Sequence, residues 1–275
     1  MERRKVLGAL TGTTLGVLLN GSLNELAQAQ NGTQGASSHR SGTSQFPPNS
    51  TIVLVHAAWA DGSCWRKIIR PLEHRGLQVI CAPLPLTSLT NDAAALSRVL
   101  ERTGGPVVLV GHAYSGAVIA AVPNERIKSL VYITALAPDE GETVAKVFYL
   151  NPNSPQAPKM VPDSYGHVWL PDDAFSQAIT HKASADESKI AAALQRPLGV
   201  ECIKEPAPTP TWKAKTTWFL VAEEDRMISQ KTQRFMADRM GAKIRSYPVD
   251  HSPMISAPRV VMDVILEAAR ETLRG

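Results

Sequence analysis

Short apolar runs and longer amphipathic stretches alternate along the chain after residue 50. Residues 52–55 and 107–110 are apolar at every position, which is typical of strands buried on both faces of a sheet. In the stretches between such runs, apolar residues recur three and four positions apart, as they do in helices that cover a sheet. Because strands and helices alternate, the pattern predicts an α/β fold with a parallel sheet covered on both sides.

The predicted elements are placed along the chain by the same periodicity. Strands are predicted at residues 52–55, 77–82, 107–110, 127–136, 216–222 and 243–247. Helices are predicted at about residues 63–74, from Asn91 or Asp92 to about 102, and at 115–122, 230–240 and 258–273. Residues 138–211 break the alternation, because they are rich in proline and contain two helical stretches near 172–180 and 186–195. This segment is predicted to be a helical cap inserted into a single domain that spans residues 51–275.

The first 50 residues do not share this pattern. A basic cluster at residues 3–5 precedes a weakly apolar stretch at 6–19, and residues 27–29 (Ala-Gln-Ala) have the small-x-small form of a cleavage site. Residues 1–29 are therefore predicted to be an export signal, with the adjacent arginines of the twin-arginine type. A retained N-terminal anchor is the alternative, but an apolar stretch of about 14 residues is shorter than the roughly 20 that span a bilayer.

This leader predicts an exported protein, periplasmic or secreted, without stable insertion in the membrane. Residues 30–50 are rich in Ser, Gly, Asn and Gln and are predicted to be a flexible linker.

Composition and net charge indicate which classes of partner to expect. The 275 residues are 44% hydrophobic and 20% charged, which is ordinary for a globular chain with a sizeable core. The net charge of +4 is mild and no basic stripe is present, so nucleic acid is not an expected partner. A small molecule is the expected partner, and the oligomeric state is left open.

Cysteine usage and short motifs give no sign of a cofactor. The odd number of cysteines, Cys64, Cys81 and Cys202, favours three buried thiols, although one disulfide remains an alternative. Their spacing is not that of metal ligands, and no dinucleotide-binding, phosphate-binding or HExxH motif follows a predicted strand. Neither a metal nor a cofactor is therefore expected.

Residues 107–118, VVLVGHAYSGAV, describe a buried strand that turns sharply into a helix. Gly111 and Gly116 stand where the backbone turns tightly and where the helix approaches the strand closely. In a G-x-S-x-G nucleophile elbow, such a strained turn carries a serine hydroxyl at its centre. Here the central position is Ala113, which has no hydroxyl.

Polar residues follow three predicted strands. The elbow at residues 111–116 comes first, Asp225 follows the strand at 216–222, and His251 follows the strand at 243–247. The carboxyl ends of parallel strands meet at one edge of a sheet, where open α/β sheets bind their ligands. The order elbow, acid, histidine is that of the α/β-hydrolase triad, in which the acid orients the imidazole and the imidazole accepts the nucleophile's proton.

Several stretches of the chain carry a resemblance to a known group. They are TIVLVHAAWADGSCW, PLTSLTNDAAA, GPVVLVGHAYSGAVI, LVYITALAPDEGE, VAEEDRMI, QRFMADRMGA and SYPVDHSPMISAP. They resemble bacterial α/β-hydrolase-fold proteins close to the cofactor-free haloperoxidases, esterases and hydroxynitrile lyases, over essentially residues 51–269. The resemblance implies an α/β-hydrolase fold, doubly wound and mostly parallel, with the helical cap.

The same resemblance implies roles for individual residues. Asp225 would be the triad acid, with Glu223 or Glu224 as the alternative, and His251 the base. The backbone N–H groups of Ala58 and Tyr114 would form the oxyanion hole. Two positions depart from the family pattern. Its elbow reads G-H-S-x-G-G where this chain has GHAYSG, and its His-Gly after the first strand is His-Ala here.

Four interpretations of Ala113 stay open. The chain is a Ser→Ala variant of a serine esterase, or it uses the His–Asp pair to activate water or to move a proton on a bound substrate. In the third interpretation Ser115 replaces the nucleophile, although two steps along a helix turn a side chain by about 200° and so point it elsewhere. In the fourth, the protein is a non-catalytic ligand-binding relative.

The expected pocket lies between cap and sheet, is mostly apolar and accepts a small or medium uncharged ligand. His56, Trp59 and Trp169 are candidates for its lining, with His56 also expected to brace the first loop through its ring nitrogens. The expected activity is hydrolysis of an ester-like bond or another small carbonyl substrate, or a related proton transfer, and the alternative class is a binding protein without activity.

Overall fold

A computed structural model describes residues 45–274 of the chain, and all structural statements below concern these residues. In chain order the strands are β1 (Thr51–Val55), β2 (Gln78–Ala82), β3 (Val107–His112), β4 (Ile127–Ile133), β5 (His167–Val168), β6 (Leu198–Gly199), β7 (Thr216–Ala222) and β8 (Lys243–Tyr247). Six of them form a parallel sheet in the order β2-β1-β3-β4-β7-β8, while β5 and β6 form a separate antiparallel pair. The predicted α/β architecture with a parallel sheet is confirmed.

The helices cover both faces of the sheet and build the insertion between β4 and β7. They are α1 (Arg66–Glu73), α2 (Leu89–Glu101), α3 (Ser115–Ala120), α4 (Val144–Phe148), α5 (Asp172–Ala174), α6 (Ala185–Ala193), α7 (Glu201–Lys204), α8 (Gln230–Arg239), α9 (Pro253–Ser256) and α10 (Pro258–Thr272). Two 3-10 turns (Gly62–Trp65 and Thr211–Lys213) and a π-helical turn (Phe175–Ile179) accompany them. The segment predicted as a cap at residues 138–211 contains α4 to α7 and the β5–β6 pair.

Both faces of the sheet are buried, which explains the continuous apolar runs. In β1, Ile52 and Leu54 pack with α1 and α10 on one side of the sheet. Val53 and Val55 pack on the other side, in the cluster that contains α2, α3 and the cap. A strand that is apolar at alternate positions only would leave one of these helix layers without a core.

Two predicted boundaries are corrected, one by a capping hydrogen bond and one by a backbone conformation. Helix α2 begins earlier than predicted, because its N-cap is Ser88, whose Oγ accepts from the N–H of Asn91 at 3.1 Å, so neither Asn91 nor Asp92 is the cap. Strand β4 ends at Ile133 and not at residue 136, because Thr134 adopts a left-handed backbone conformation with φ of 45°.

The folded body begins before the boundary predicted at residue 51. Phe46 is only 4% exposed and belongs to the same apolar cluster as Ile52 and Leu54, so the end of the predicted linker 30–50 is packed. The predicted export signal at residues 1–29 lies outside the described residues. Within the described part of the chain, no helix has the length and apolar character needed to cross a membrane.

The strand order creates a switch point in the sheet. From β1 the chain moves outward to β2 and then returns to place β3 on the other side of β1. The loops that follow β1 and β3 therefore leave the sheet in opposite directions and open a crevice between them. This crevice contains the predicted oxyanion loop and the elbow.

Candidate active site

The turn after β3 has the strained geometry of a nucleophile elbow. Ala113 lies in the left-handed region with φ of 50°, and its carbonyl accepts from the N–H of Leu136 at 2.9 Å. A Cβ on Gly111 would approach the carbonyl oxygen of Ser115 to 2.9 Å, and one on Gly116 would approach Ala135 Cβ to 2.8 Å. Glycine at both positions is thus required by the close packing of helix and strand.

Ser115 is buried and does not line the pocket. Its Oγ donates to the carbonyl of Val55 at 2.9 Å and accepts from the N–H of His112 at 2.8 Å. The hydroxyl therefore joins the elbow to the end of β1 instead of facing a substrate, as its expected rotation away from the elbow position implies.

His251 and Asp225 form a buried pair. Nδ1 of His251 donates to Oδ2 of Asp225 at 2.8 Å, which leaves Nε2 as the nitrogen without a partner among the described residues. His251 and Ala113 both line the same pocket. The arrangement is that of a base oriented by an acid, opposite an elbow that carries a methyl group.

The Asp225 carboxylate is held by its own loop and by helix α8. Oδ1 accepts from the N–H groups of Met227 and Ile228 at 2.7 and 3.0 Å. Oδ2 accepts from the side-chain amide of Gln233 at 2.9 Å in addition to the imidazole. These donors fix the carboxylate in the position from which it accepts the bond from the imidazole.

The alternative acids point elsewhere. Glu224 forms an ion pair with Lys182 at 2.7 Å, and Glu223 accepts from the hydroxyl of Ser246 at 2.7 Å. Among the three neighbouring acids, Asp225 is the one that reaches His251.

The backbone of His251 is fixed by two further donors. Its carbonyl accepts from Nε2 of His112 at 2.7 Å and from the hydroxyl of Thr134 at 3.0 Å. Burial holds the pKa of His112 well below its ordinary value, so this ring is neutral and serves as a donor. His112 therefore acts as a packed support for the base.

The two predicted oxyanion residues meet at the switch point. Ala58 follows β1 and Tyr114 follows Ala113, and both line the pocket. Neither N–H donates to an acceptor within residues 45–274. Free N–H groups beside an imidazole are what a developing oxyanion requires.

Of the three residues predicted to line the pocket, Trp59 does so, and Trp169 and His56 do not. Trp59 lines the pocket, and its Nε1 donates to the carbonyl of Val168 at 2.9 Å, which joins the β1 loop to the cap. Trp169 is not among the residues that line the pocket, and its side chain is 50% exposed on the surface of the cap.

His56 does not line the pocket either, since it is completely buried beneath the oxyanion loop. Its Nε2 accepts from the N–H of Leu84 at 3.0 Å, and Nδ1 donates to the carbonyl of Ala57 at 2.9 Å. Burial lowers the pKa of His56 to about 4, so the ring is neutral in this bracing role.

The pocket lies between cap and sheet and is mostly apolar. Its empty space is about 1020 Å³, including the part open to solvent. Apolar side chains of the cap form much of its wall, namely Val144, Phe148, Met160, Phe175, Ile179, Ile190, Leu194, Leu198 and Ile203. Charged residues such as Arg66 and Glu187 also line it, and these two are paired with each other at 2.9 Å. An uncharged, largely apolar ligand fits this lining.

The sequence interpretation missed residues that support the site. Gln233 and Thr134 contact Asp225 and His251, and Asp92, considered only as a helix cap, accepts from the phenol of Tyr114 at 2.7 Å. Gln233 lies in an ordinary amphipathic helix and Thr134 in a loop, so no local pattern marks them. A buried Asp one turn into a helix is likewise visible only once its partners are known.

The three cysteines are free thiols. The three cysteines form no disulfide, with Cys64 and Cys202 buried and Cys81 only partly so, which corrects the expectation of burial for Cys81. Burial raises the pKa of all three thiols, so they are protonated at neutral pH. Among residues 45–274 no three potential metal-ligating side chains cluster together.

Comparison with known proteins places this chain in a family. The family model described as "Alpha/beta hydrolase family" matches residues 52–264. Methylesterase 2 of Arabidopsis thaliana is 25% identical over 256 residues, which cover 79% of this chain and 95% of the methylesterase.

Two solved structures with the same fold are an esterase and a synthase. Polyneuridine aldehyde esterase superimposes with a TM-score of 0.69 at 19% identity, covering 80% of this chain and 99% of that one. A mutant of tomato methylketone synthase I superimposes with a TM-score of 0.66 at 20% identity, covering 81% and 98%. Because the family model extends from β1 into the last helix and includes the elbow, the acid and the histidine, the chain belongs to the alpha/beta hydrolase family.

Proposed function

We propose that this protein is a general-base enzyme acting on a small or medium, uncharged and largely apolar carbonyl compound. His251 is the base, Asp225 orients it, and the N–H groups of Ala58 and Tyr114 stabilise negative charge on the substrate oxygen. The observation that carries the proposal is the 2.8 Å bond between His251 and Asp225, beside a pocket in which the elbow residue is alanine. No acyl group is carried on residue 113, because a methyl group cannot attack a carbonyl.

Two reactions use this arrangement without a covalent intermediate. In the first, Nε2 of His251 takes a proton from water, and the hydroxide adds to the carbonyl carbon of an ester. The oxyanion is held by the two N–H groups until the alcohol leaves with the proton from the imidazolium. In the second, Nε2 takes a proton from the carbon next to a ketone or ester carbonyl, and the same N–H groups hold the enolate.

The relatives support a carbonyl substrate for this chain. Two of them are named as esterases and one as a synthase of a methylketone. The fold hosts many reactions, so the choice between hydrolysis and proton transfer depends on the site. The absence of a hydroxyl at residue 113 favours reactions in which the imidazole acts directly on water or substrate.

The experiment compares hydrolysis with proton transfer on one protein preparation. Hydrolysis of 4-nitrophenyl butanoate is followed by absorbance, and exchange of the α-protons of 2-heptanone in deuterated water is followed by NMR. We expect catalysis of at least one reaction, with no labelling by a fluorophosphonate. Saturable binding of 2-heptanone without either reaction would replace the proposal by a ligand-binding role. Fluorophosphonate labelling of Ser115 would contradict it in favour of a serine nucleophile.

A further inference from the structure

Asp92 is a buried carboxylate that the proposed mechanism does not use. It is fully buried, and it forms no ion pair within residues 45–274. Burial raises the pKa of its carboxyl group above the ordinary value, while three donors favour the charged form. An unpaired carboxylate in such a place is costly, so the contacts that retain it are informative.

The contacts of Asp92 connect three separate segments of the chain. Oδ2 accepts from the phenol of Tyr114 at 2.7 Å and lies 3.7 Å from the thiol of Cys202 in cap helix α7. Oδ1 accepts from the N–H of Leu86 at 2.7 Å. The carboxylate therefore joins the elbow, the cap and the segment that follows β2.

Tyr114 links this carboxylate to the oxyanion site. Its side chain ends on Asp92, while its backbone N–H is one of the two groups without an acceptor. The phenol is rigid and its hydrogen bond to Asp92 is short, so the position of the ring limits the rotation of the Tyr114 peptide.

The N–H group of Ala58 is supported by the same segment after β2, residues 84–86. Leu84 donates to His56, which also binds the carbonyl of Ala57 beside Ala58. Two residues further on, Leu86 donates to Asp92 and adopts a left-handed conformation with φ of 59°. Both free N–H groups are thus supported through residues 84–86, one by way of His56 and the other by way of Asp92.

We propose that Asp92 is a positioning residue that, through the phenol of Tyr114 and the N–H of Leu86, holds the two free N–H groups at the spacing needed to bind one substrate oxygen. This inference rests on the proposed function, because it assumes that the N–H groups of Ala58 and Tyr114 bind that oxygen. A merely structural Asp92 would stabilise the fold without changing how well this site binds an oxyanion.

The test measures anion binding directly and needs no turnover. The chain has five tyrosines, so protein labelled with [15N]tyrosine gives five amide signals, and Tyr114→Phe identifies the one from residue 114. Hexanoate serves as the probe, because it presents a carboxylate oxygen on an apolar tail. We expect hexanoate to shift the Tyr114 amide to lower field in a saturable way.

Asp92→Asn is expected to weaken hexanoate binding about tenfold and to reduce the shift of the Tyr114 amide. Cys202→Ala is the matched control, because it removes another contact of Asp92 and leaves the phenol bond intact, and its affinity is expected to stay unchanged. Should Asp92→Asn not fold, Tyr114→Phe removes the same bond with less disturbance. The affinity of Tyr114→Phe for hexanoate is then measured by calorimetry and is expected to fall in the same way.

The outcomes separate this inference from the proposed function. Equal hexanoate affinity and equal Tyr114 shift in the unmodified protein and Asp92→Asn would overturn the positioning role and leave the oxyanion site standing. A Tyr114 amide that does not respond to hexanoate in the unmodified protein would overturn both the oxyanion site and the role of Asp92.

Discussion

The backbone N–H of Lys182 in the cap donates to the buried carboxylate of Asp250 at 2.9 Å, directly beside His251. The side chain of the same lysine donates to the carbonyl of Pro248 at 2.7 Å and pairs with Glu224, the neighbour of Asp225, at 2.7 Å. One cap residue thus contacts the loop of the base and the loop of the acid. The cap both covers the pocket and connects the two loops on which the His–Asp pair depends.

Removal of the Lys182 side chain is therefore expected to affect activity more than stability. For Lys182→Met we expect little change in the free energy of unfolding, because the ion pair is partly exposed and screened by solvent. The turnover number should fall by several-fold while KM changes little. Lys189→Met is the control, since Lys189 is exposed on α6 in the same cap and forms no hydrogen bond or ion pair with another side chain among residues 45–274. Equal kinetics of the two variants would contradict the coupling.

A serine at residue 113 is expected to create a reactive nucleophile. The backbone of Ala113 already has the φ of 50° that an elbow serine needs, so Ala113→Ser requires no rearrangement. We expect this variant to be labelled by a fluorophosphonate, and the double variant Ala113→Ser/His251→Ala to lose the labelling. Mass spectrometry of the intact proteins reads out both results. An unlabelled Ala113→Ser protein that is folded would show that His251 is not placed to activate residue 113.

Close packing behind the elbow predicts a high cost for Gly116→Ala. The added Cβ would overlap the carbonyl oxygen of Leu136 and approach Ala135 Cβ to 2.8 Å. We expect the free energy of unfolding, measured in urea, to fall by roughly 1–3 kcal/mol. Gly104→Ala is the control, because its Cβ would meet no atom closer than 3.8 Å. A cost no larger than that of the control would contradict the packing argument.

Acid is expected to destabilise the fold through His56. Its pKa falls from 6.5 in the unfolded chain to about 4 in the buried, braced ring, so the unfolded state binds a proton first as the pH drops. The stabilisation is complete above pH 6.5 and is lost between pH 6.5 and 4, by about 3 kcal/mol in all. Urea unfolding at pH 7 and pH 4.5 should show a smaller pH dependence in His56→Gln, and an unchanged dependence would contradict this origin.

The parallel sheet was predictable because central strands such as β1 are apolar on both faces, as Ile52 and Val53 show. The positions of Asp225 and His251 after their strands were predictable from the same strand pattern and from the family resemblance. Trp169 was misplaced because an aromatic in a cap packs inward or outward according to long-range contacts that no local pattern reveals. His56 was expected to brace the first loop through its ring nitrogens, and its two ring contacts agree with that expectation. The export signal at residues 1–29 stays a prediction.

The most direct test of the account is the ratio of initial rates of the unmodified protein and His251→Ala, measured in whichever of the two carbonyl reactions the protein catalyses. His74→Ala is the control, because His74 is exposed at the end of α1. The account predicts a loss of at least about 100-fold in His251→Ala and none in His74→Ala. Equal rates in the unmodified protein and His251→Ala would contradict the claim that the His251–Asp225 pair performs the chemistry.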